Sequence, residues 1–323
     1  MKAILCQELG PPESLVFTDL ELPKPKEKQV LIEVKACSVN YPDTLIIQGL
    51  YQFKPDLPFV PGSDVSGRVL AVGPGVSQYQ VGDEVVALLP YGGFAEQVLA
   101  PVNMVFPKPP MLADRVAASF TMAYGTSYHA LKDRARIQSG ETLLVLGAAG
   151  GVGLAAVELG AQMGATVIAS ASTSEKLELC KSFGATHTIN YTEEDLKTRA
   201  KELTGGKGVD VVYDPVGGDY TEAALRATAW GGRVLIVGFP AGIASIPMNL
   251  PLLKGCSIQG VFWGRFAQSF PKQNLQNMQE LMGMLLQKKL NPHIDKVYSL
   301  TDAPQALRDM IDRKVMGKIV VEP

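Results

Sequence analysis

The chain has 323 residues, of which 46% are hydrophobic and 19% charged, and its formal net charge is −2. This length predicts two domains rather than one core, and the balanced charge argues against a nucleic-acid or membrane-surface partner. Neither a signal peptide nor a membrane span is recognisable, and the four cysteines are widely spaced without a CxxC pair, so we expect reduced thiols and a cytoplasmic protein.

The first hundred residues contain short β-branched runs separated by turns. Val30–Val34, Gly67–Val72 and Glu84–Leu88 are such runs, and turn motifs occur at GPP (10–12), VGPGV (72–76) and VGDE (81–84). This pattern predicts a small barrel-like β domain.

From about Met122 the pattern changes to alternating strands and helices, which predicts a doubly wound parallel sheet and therefore an α/β fold. The predicted elements are strands at Leu143–Leu146, Thr166–Ala169, Val209–Asp214 and Arg233–Val237, and helices at Val152–Met163 and Ser174–Phe183. Helices at Leu275–Lys288 and Ala303–Arg313 and a strand at Gly317–Val321 follow, and we expect this tail to return to the first domain.

The segment from Leu143 to Ala169 contains a glycine motif typical of nucleotide binding. Gly147 permits the tight turn after the strand, Gly150 or Gly151 allows close approach to a pyrophosphate, and Gly153 allows close packing of helix and sheet. The N-terminus of the helix offers free N–H groups to phosphates. A purely structural turn is the alternative, but the strand–turn–helix–strand context favours a cofactor site.

Several further motifs occur in a recognisable order. They are VNYPDTLIIQG (39–49), PFVPGSDVSGRV (58–69), VGDEVVAL (81–88), GGFAEQVLAP (92–101), AYGTSYHAL (123–131), DPVGG (214–218) and GGRVLIVGF (231–239). Over nearly its whole length the chain resembles the zinc-independent quinone oxidoreductases of the medium-chain dehydrogenase/reductase superfamily. The resemblance implies a GroES-like β-barrel catalytic domain (1–122 and 264–323), a Rossmann NADP-binding domain (123–263) and a cofactor in the cleft between them.

No metal is expected. Where zinc-dependent relatives carry zinc ligands, this chain has Asn40, Ser63 and Met122, which do not form a normal zinc site. Without a Lewis acid to stabilise an alkoxide, acceptors that delocalise the added electrons are favoured. The absence of ligands therefore predicts reduction of a quinone or an α,β-unsaturated carbonyl.

The end of the second nucleotide strand predicts NADPH rather than NADH. An acid that would bind the ribose 2′-hydroxyl is missing there, Ser170 and Ser172 are small, and Lys176 brings a positive charge. A solvated helix lysine is the alternative interpretation of Lys176. The family resemblance adds Tyr191 and Arg313 as groups that reach the 2′-phosphate.

The resemblance also implies the rest of the cofactor site. Thr126 is expected to bind the carboxamide, and Phe239, Phe262 and Trp263 to wall the cleft, although core packing is the alternative for the aromatic residues. Asn40 is expected to contact the cofactor, and capping of a turn is its alternative role. The predicted cofactor-binding residues are Asn40, Thr126, Ala149, Gly150, Gly151, Val152, Ser172, Lys176, Tyr191, Val216, Phe239, Phe262, Trp263, Gly264 and Arg313.

For catalysis, Tyr51 and Arg265 match two of three positions that quinone reductases present to the substrate, and Leu45 replaces the other tyrosine. Tyr51 is a candidate proton donor and Arg265 a candidate charge for the developing oxyanion. Either residue is alternatively a surface residue at the cleft mouth. Leu45 makes the pocket more apolar, which leaves a conjugated thioester as well as a quinone open as substrate.

Three functions remain open from the sequence: an NADPH-dependent quinone reductase, an enoyl-type reductase of acrylyl-CoA or haloacrylate-like substrates, and a non-enzymatic NADPH-binding protein. The substrate is a small molecule in the first two. The apolar, β-rich stretch that ends segment 246–263 is expected near the edge of the nucleotide sheet. The family resemblance implies that this edge pairs with a second copy to form a homodimer, and a strand covered within its own chain is the alternative.

Overall fold

The computed structural model describes every residue from 1 to 323. The chain divides into two compact units, unit 1 with residues 1–122 and 292–323, and unit 2 with residues 123–291. The sequence prediction placed the domain boundaries after residues 122 and 263, and it stays a prediction. None of the helices combines the length and the apolar character that are needed to cross a bilayer.

The N-terminal part of the chain is mostly β-structure. Its elements are β1 (Lys2–Leu5), β2 (Val16–Asp19), β3 (Gln29–Val39), α1 (Tyr41–Ile46), β4 (Asp64–Val72), β5 (Glu84–Leu88), β6 (Gln97–Pro101), β7 (Val105–Pro107) and α2 (Asp114–Tyr128). The three predicted runs lie in β3, β4 and β5. The boundary between the units falls inside α2, between Met122 and Ala123.

The middle of the chain alternates strands with helices. After a π-helical turn at His129–Ala135, its elements are β8 (Thr142–Val145), α3 (Gly151–Gln162), β9 (Thr166–Ala171), α4 (Ser174–Ser182), β10 (His187–Asn190), α5 (Leu196–Leu203), β11 (Val209–Asp214), α6 (Asp219–Ala227), β12 (Thr228–Ile236), α7 (Asn249–Lys254), β13 (Ser257–Gly260), α8 (Trp263–Ser269) and α9 (Pro271–Leu286). The strands and helices predicted for this region are present.

The C-terminal elements, β14 (Ile294–Ser299), α10 (Ala303–Ile311) and β15 (Lys318–Glu322), return to unit 1. The main sheet there has the order β14-β15-β3-β4-β5-β7, and β6 also pairs with β3. β15 runs antiparallel to β3, with Ile319 opposite Val39 and Val320 opposite Ser38. A buried apolar cluster that includes Ile32, Val65 and Phe94 fills this unit.

Unit 2 contains a six-stranded parallel sheet in the order β10-β9-β8-β11-β12-β13. Central strands such as Leu143–Val145 are fully buried, as expected of a parallel sheet that is covered on both faces. The predicted doubly wound Rossmann architecture is confirmed. β13 forms one edge of the sheet, as the sequence predicted for the stretch that ends segment 246–263.

Hydrogen bonds between side chains explain why residues 264–291 belong to unit 2. The Lys132 ammonium bonds to Asn277 and Glu280 of α9, and the amide of Asn277 donates to Asp133 at 2.8 Å. The Tyr128 hydroxyl also donates to Glu280. These polar contacts attach α9 to the end of α2 and to the π-helical turn, which composition and periodicity do not indicate.

Candidate active site

The glycine loop after β8 has the geometry of a phosphate cradle. Gly147 adopts a positive φ of 54°, and a Cβ at Gly153 would lie 2.2 Å from the Gly147 carbonyl oxygen, so neither turn nor packing admits a side chain at these positions. The first backbone hydrogen bond of helix α3 is donated by the N–H of Leu154 to the carbonyl oxygen of Gly150 at 2.8 Å. The N–H groups of Gly151, Val152 and Gly153 therefore have no acceptor within the helix and suit an anion.

Helix α2 is joined to this cradle by Ser127. Its hydroxyl donates to the Val152 carbonyl at 2.8 Å and lies 2.9 Å from the Tyr213 hydroxyl. Thr126, the predicted carboxamide ligand, is the half-buried preceding residue. Ser127 thus brings Thr126 close to the first turn of α3, within the same unit.

A second loop, after β11, is organised by Asp214. Its carboxylate accepts the backbone N–H groups of Val216 and Gly217 at 2.9 Å and the Thr221 hydroxyl at 2.5 Å. Because a Cβ on Gly147 would meet Val216 at 2.9 Å, this loop lies directly against the cradle. Phe239, on the loop after β12, is 46% exposed at the same sheet edge.

The carboxyl ends of β9 and β10 bring the predicted phosphate-binding residues of unit 2 together. The backbone of Tyr191 donates to the Ala171 carbonyl at 3.2 Å, next to Ser172, and Lys176 lies in the first turn of α4. No carboxylate stands at the end of β9. Ser170 is fully buried, so only Ser172 of the two serines borders the open edge.

In the segment after β13, the two neighbouring aromatic residues that were predicted to wall the cleft differ in burial. Phe262 is 55% exposed, and Gly264 and Arg265 are exposed beside it. The indole of Trp263 is buried instead, with its N–H donated to Asn274 and its ring against the position of Gly125. Trp263 therefore supports this segment from the interior of unit 2.

In unit 1, Asn40 lies between β3 and α1 in a buried polar cluster. Its backbone N–H donates to Asp43 at 2.7 Å, and its side-chain oxygen accepts a bond of 2.5 Å from the Lys318 ammonium. Ser63 donates to the other oxygen of Asp43 at 3.3 Å. The backbone N–H of Met122 donates to Asp64 at 3.3 Å.

Burial dominates the electrostatics of this cluster. It raises the pKa of Asp43 to about 6 and that of Asp64 to about 7, because no water solvates their ionised forms. One oxygen of Asp64 has no hydrogen-bond partner. Burial also lowers the pKa of Lys318, while the charges of Asp64 and Asp43 oppose that shift.

The predicted catalytic tyrosine lies near this cluster. Burial, and to a smaller degree the charge of Asp43, raises the pKa of Tyr51, so that its phenol stays protonated at neutral pH. Leu45 is half-buried on α1, and Phe53 stacks on Tyr91 with ring centroids 5.9 Å apart. Arg313 follows α10 in the same unit, with a positive φ of 59°, and its charge acts on Tyr41.

The donor set of the Asn40 cluster does not fit a zinc ion. Amide, hydroxyl and thioether groups stand at the positions that correspond to zinc ligands, and the Lys318 ammonium bonds to the first of them. A zinc ion at this place would lie beside the positively charged Lys318 ammonium. Nowhere in residues 1–323 do three or more His, Cys, Asp or Glu side chains gather in a way that could hold a metal.

Comparison with known proteins assigns the family. Residues 26–110 match the family described as alcohol dehydrogenase GroES-like domain, and residues 151–280 match zinc-binding dehydrogenase. A quinone oxidoreductase-like protein 2 homolog of Nematostella vectensis is 38% identical over 99% of this chain and 88% of its own length. The chain belongs to the quinone oxidoreductase family of the medium-chain dehydrogenase/reductase superfamily. This is a family of enzymes, and the predicted resemblance is confirmed.

Solved structures agree with this family. Quinone oxidoreductase of Escherichia coli, complexed with NADPH, has a TM-score of 0.93 at 28% identity, with both chains fully covered. CurK enoyl reductase has a TM-score of 0.88 at 30% identity, over 99% of this chain and 98% of its own.

Sequence reasoning did not identify three residues that organise the site. Lys318 is 278 positions from Asn40, and only the pairing of β15 with β3 brings them together. Asp214 is part of the DPVGG motif, and Ser127 lies within AYGTSYHAL without a signal of its own. The DPVGG motif was a signal for Asp214, since an acid before two glycines suits a turn with free N–H groups.

The raised pKa of Asp64 predicts a pH-dependent stability. Above about pH 4 the unfolded chain has released this proton, while the folded protein retains it up to about pH 7. The stabilisation from this group is therefore lost as the pH rises, by up to about 1.4 kcal/mol for each pH unit. Urea unfolding at several pH values should show D64N gaining stability over the wild type from about pH 4 to pH 7. The exposed D56N is the control, and parallel curves for D64N and wild type would contradict the prediction.

Proposed function

We propose that the chain catalyses NADPH-dependent, metal-free reduction of a conjugated carbonyl, with a quinone as acceptor. The observation that carries this proposal is the Lys318 ammonium bonded to Asn40, at the place where a Lewis acid would be needed for alcohol–ketone chemistry. A quinone needs no such metal because it delocalises the added charge. Similarity to the Escherichia coli quinone oxidoreductase supports this acceptor class.

The phosphate cradle, the loop that Asp214 organises and the β9 edge fit NADPH. Free N–H groups at the start of α3 suit its pyrophosphate, and a β9 end without an acid, followed by Lys176, suits its 2′-phosphate. The proposed contacts are Asn40, Thr126, Ala149, Gly150, Gly151, Val152, Ser172, Lys176, Tyr191, Val216, Phe239, Phe262, Trp263, Gly264 and Arg313. When bound, NADPH supplies the hydride.

Two residues are proposed to act on the acceptor. Tyr51, whose pKa is raised by burial, remains protonated and donates a proton to the reduced oxygen. Arg265 is exposed and carries a permanent positive charge, which stabilises the negative charge that develops on that oxygen. Leu45 gives the acceptor an apolar neighbour.

An enoyl-type reductase is the second candidate. The similarity to CurK enoyl reductase favours it, as does the aliphatic Leu45 where quinone reductases present a tyrosine. The chemistry required of the protein is the same in both cases, because hydride addition to an enoyl thioester gives a delocalised enolate. The two candidates differ only in the acceptor.

NADPH oxidation by chelator-treated protein tests the proposal. We expect turnover with 9,10-phenanthrenequinone and 1,4-benzoquinone, with unchanged rates after chelation, since no step uses a metal. Acrylyl-CoA and crotonyl-CoA are offered in parallel, and preference for them would replace the quinone proposal with the enoyl one. Binding of NADPH with no acceptor reduced would support a non-enzymatic protein, and activity restored only by zinc would overturn the metal-free mechanism.

Lys176 is expected to set the preference for NADPH. Removing a charged hydrogen bond to the 2′-phosphate should weaken NADPH binding by about tenfold or more in K176A and leave NADH binding unchanged. Fluorescence titration with each nucleotide measures both affinities. K181A is the matched control on the same helix, since Lys181 pairs with Glu178. Equal losses for NADPH and NADH in K176A would contradict this role.

We also infer that the protein is a homodimer that pairs through unit 2. β13 is an edge strand that has a neighbouring strand on one side only, and Ile258 on it is 38% exposed. Leu252 and Leu253 on the adjacent α7 are 78% and 65% exposed, and the exposed Trp230 ring lies against Gly255. A second copy covers this apolar edge by antiparallel pairing across a two-fold axis.

Sedimentation velocity tests the dimer. The wild type should sediment at twice the chain mass, and I258K should shift it to the monomer because each copy would bury a lysine beside its partner's. M111K is the control, since Met111 is 83% exposed on unit 1. A monomeric wild type, or a dimer unaffected by I258K, would refute the proposed interface.

A cytoplasmic location is proposed on the state of the thiols. Cys6, Cys37 and Cys180 are buried and Cys256 is half-buried, and none is paired in a disulfide. Burial raises the pKa of all four, so they stay in the unreactive thiol form. Such thiols suit a reducing compartment.

A further inference from the structure

The buried ammonium of Lys318 makes contacts that are set by the strand register. Ile319 of β15 lies opposite Val39 of β3, so the residue before Ile319 lies beside the residue after Val39. The Lys318 ammonium donates to the Val39 carbonyl at 2.9 Å and to the Asn40 side-chain oxygen at 2.5 Å. Lys318 is only 5% exposed.

This arrangement determines which end of the Asn40 amide is anchored. An ammonium group can only donate, so it must face the amide oxygen and not the amide nitrogen. The nitrogen then remains as the donor end, held by bonds of 3.3 and 3.4 Å to the hydroxyl and carbonyl oxygens of Ser38. These are long bonds, which a better acceptor can displace.

Stability alone does not account for a buried lysine at this position. Removing an ammonium from water is costly, and a buried ion cluster is often no more stable than apolar residues of the same volume. Asp43 and Asp64, whose pKa values are raised to about 6 and about 7, supply the opposing charge when they are ionised, and Asp43 also anchors the Asn40 backbone N–H. The cluster thus holds Asn40 from both its backbone and its side chain.

We propose that Lys318 is a positioning residue that fixes the Asn40 amide with its N–H end toward the nicotinamide half of NADPH. This inference rests on the proposed function, in which Asn40 contacts the cofactor. An amide oriented in this way offers a hydrogen-bond donor to the carboxamide oxygen. Without the ammonium, the amide is free to rotate and present its oxygen instead.

Calorimetric titration with two ligands tests the proposal without relying on activity. NADPH contains the nicotinamide, and 2′-phosphoadenosine 5′-diphosphoribose contains the same phosphates without it. In K318M, NADPH binding should weaken by about tenfold, while binding of the nicotinamide-free ligand stays within about twofold. Because K318M leaves both carboxylates without a cation, D64N/K318M, whose cluster has the same formal charge as the wild-type cluster, is measured against D64N as a second comparison that keeps the test valid if K318M fails to fold.

A double-mutant cycle assigns the effect to Asn40. In an N40A/D64N background, adding K318M should change NADPH affinity by less than about twofold, because the amide it would position is gone. Equal loss of both ligands, loss of neither, or an undiminished effect of K318M without the Asn40 amide would each overturn the proposal. A wild-type protein that binds neither ligand would instead overturn the proposed function.

Discussion

The pairing of β15 with β3 is the constraint on which the candidate site in unit 1 depends. It completes the sheet, and its register places Lys318 beside Asn40 at the end of β3. A glycine precedes the lysine, and a Cβ there would lie 2.7 Å from the His293 carbonyl oxygen. Only glycine is therefore accommodated at position 317, immediately before β15. This close approach to His293 fixes the point at which β15 begins and so the position of the Lys318 ammonium.

Charge distribution distinguishes this cluster from a metal centre. A metal ion polarises a substrate directly, whereas the Lys318 ammonium donates hydrogen bonds to the Val39 carbonyl oxygen and to the Asn40 amide oxygen. Its positive charge stabilises protein groups. In the proposed mechanism, charge on the acceptor is therefore stabilised by delocalisation in the acceptor and by Arg265, while the half-buried Tyr51, with its raised pKa, carries the proton that it donates to the reduced oxygen.

Much of the fold was predictable because it depends on local patterns. The glycine loop and the alternation of strands and helices follow from short-range residue preferences, whereas the edge position of β13 was expected from the family resemblance. The attachment of residues 264–291 to unit 2 was not predictable, because it depends on bonds from Asn277 and Glu280 to side chains far away in sequence. Burial was equally hard to foresee: Trp263 and Phe262 are adjacent aromatic residues, yet one is buried and the other exposed.

The candidate site also has one part that the sequence predicts and one part that it does not. Its phosphate-binding half is encoded in one continuous stretch, so spacing reveals Gly147, Gly153 and the missing acid after β9. The Asn40 cluster combines residues from β3, β4 and β15, and no window of sequence contains them together. Sequence analysis recognised the lost zinc ligands but not the lysine that bonds to one of their replacements.

The discontinuity of unit 1 has a consequence for how the protein acquires its structure. Unit 2 is one uninterrupted segment, so its contacts can form as soon as residues 123–291 are available. Unit 1 must close a loop that contains the whole of unit 2 before β15 reaches β3, and contacts across such a separation form slowly. During synthesis, the nucleotide-binding unit is therefore expected to fold first. Asp43 and Asp64 are paired with the Lys318 ammonium only after the C-terminal strand β15 has added to the sheet.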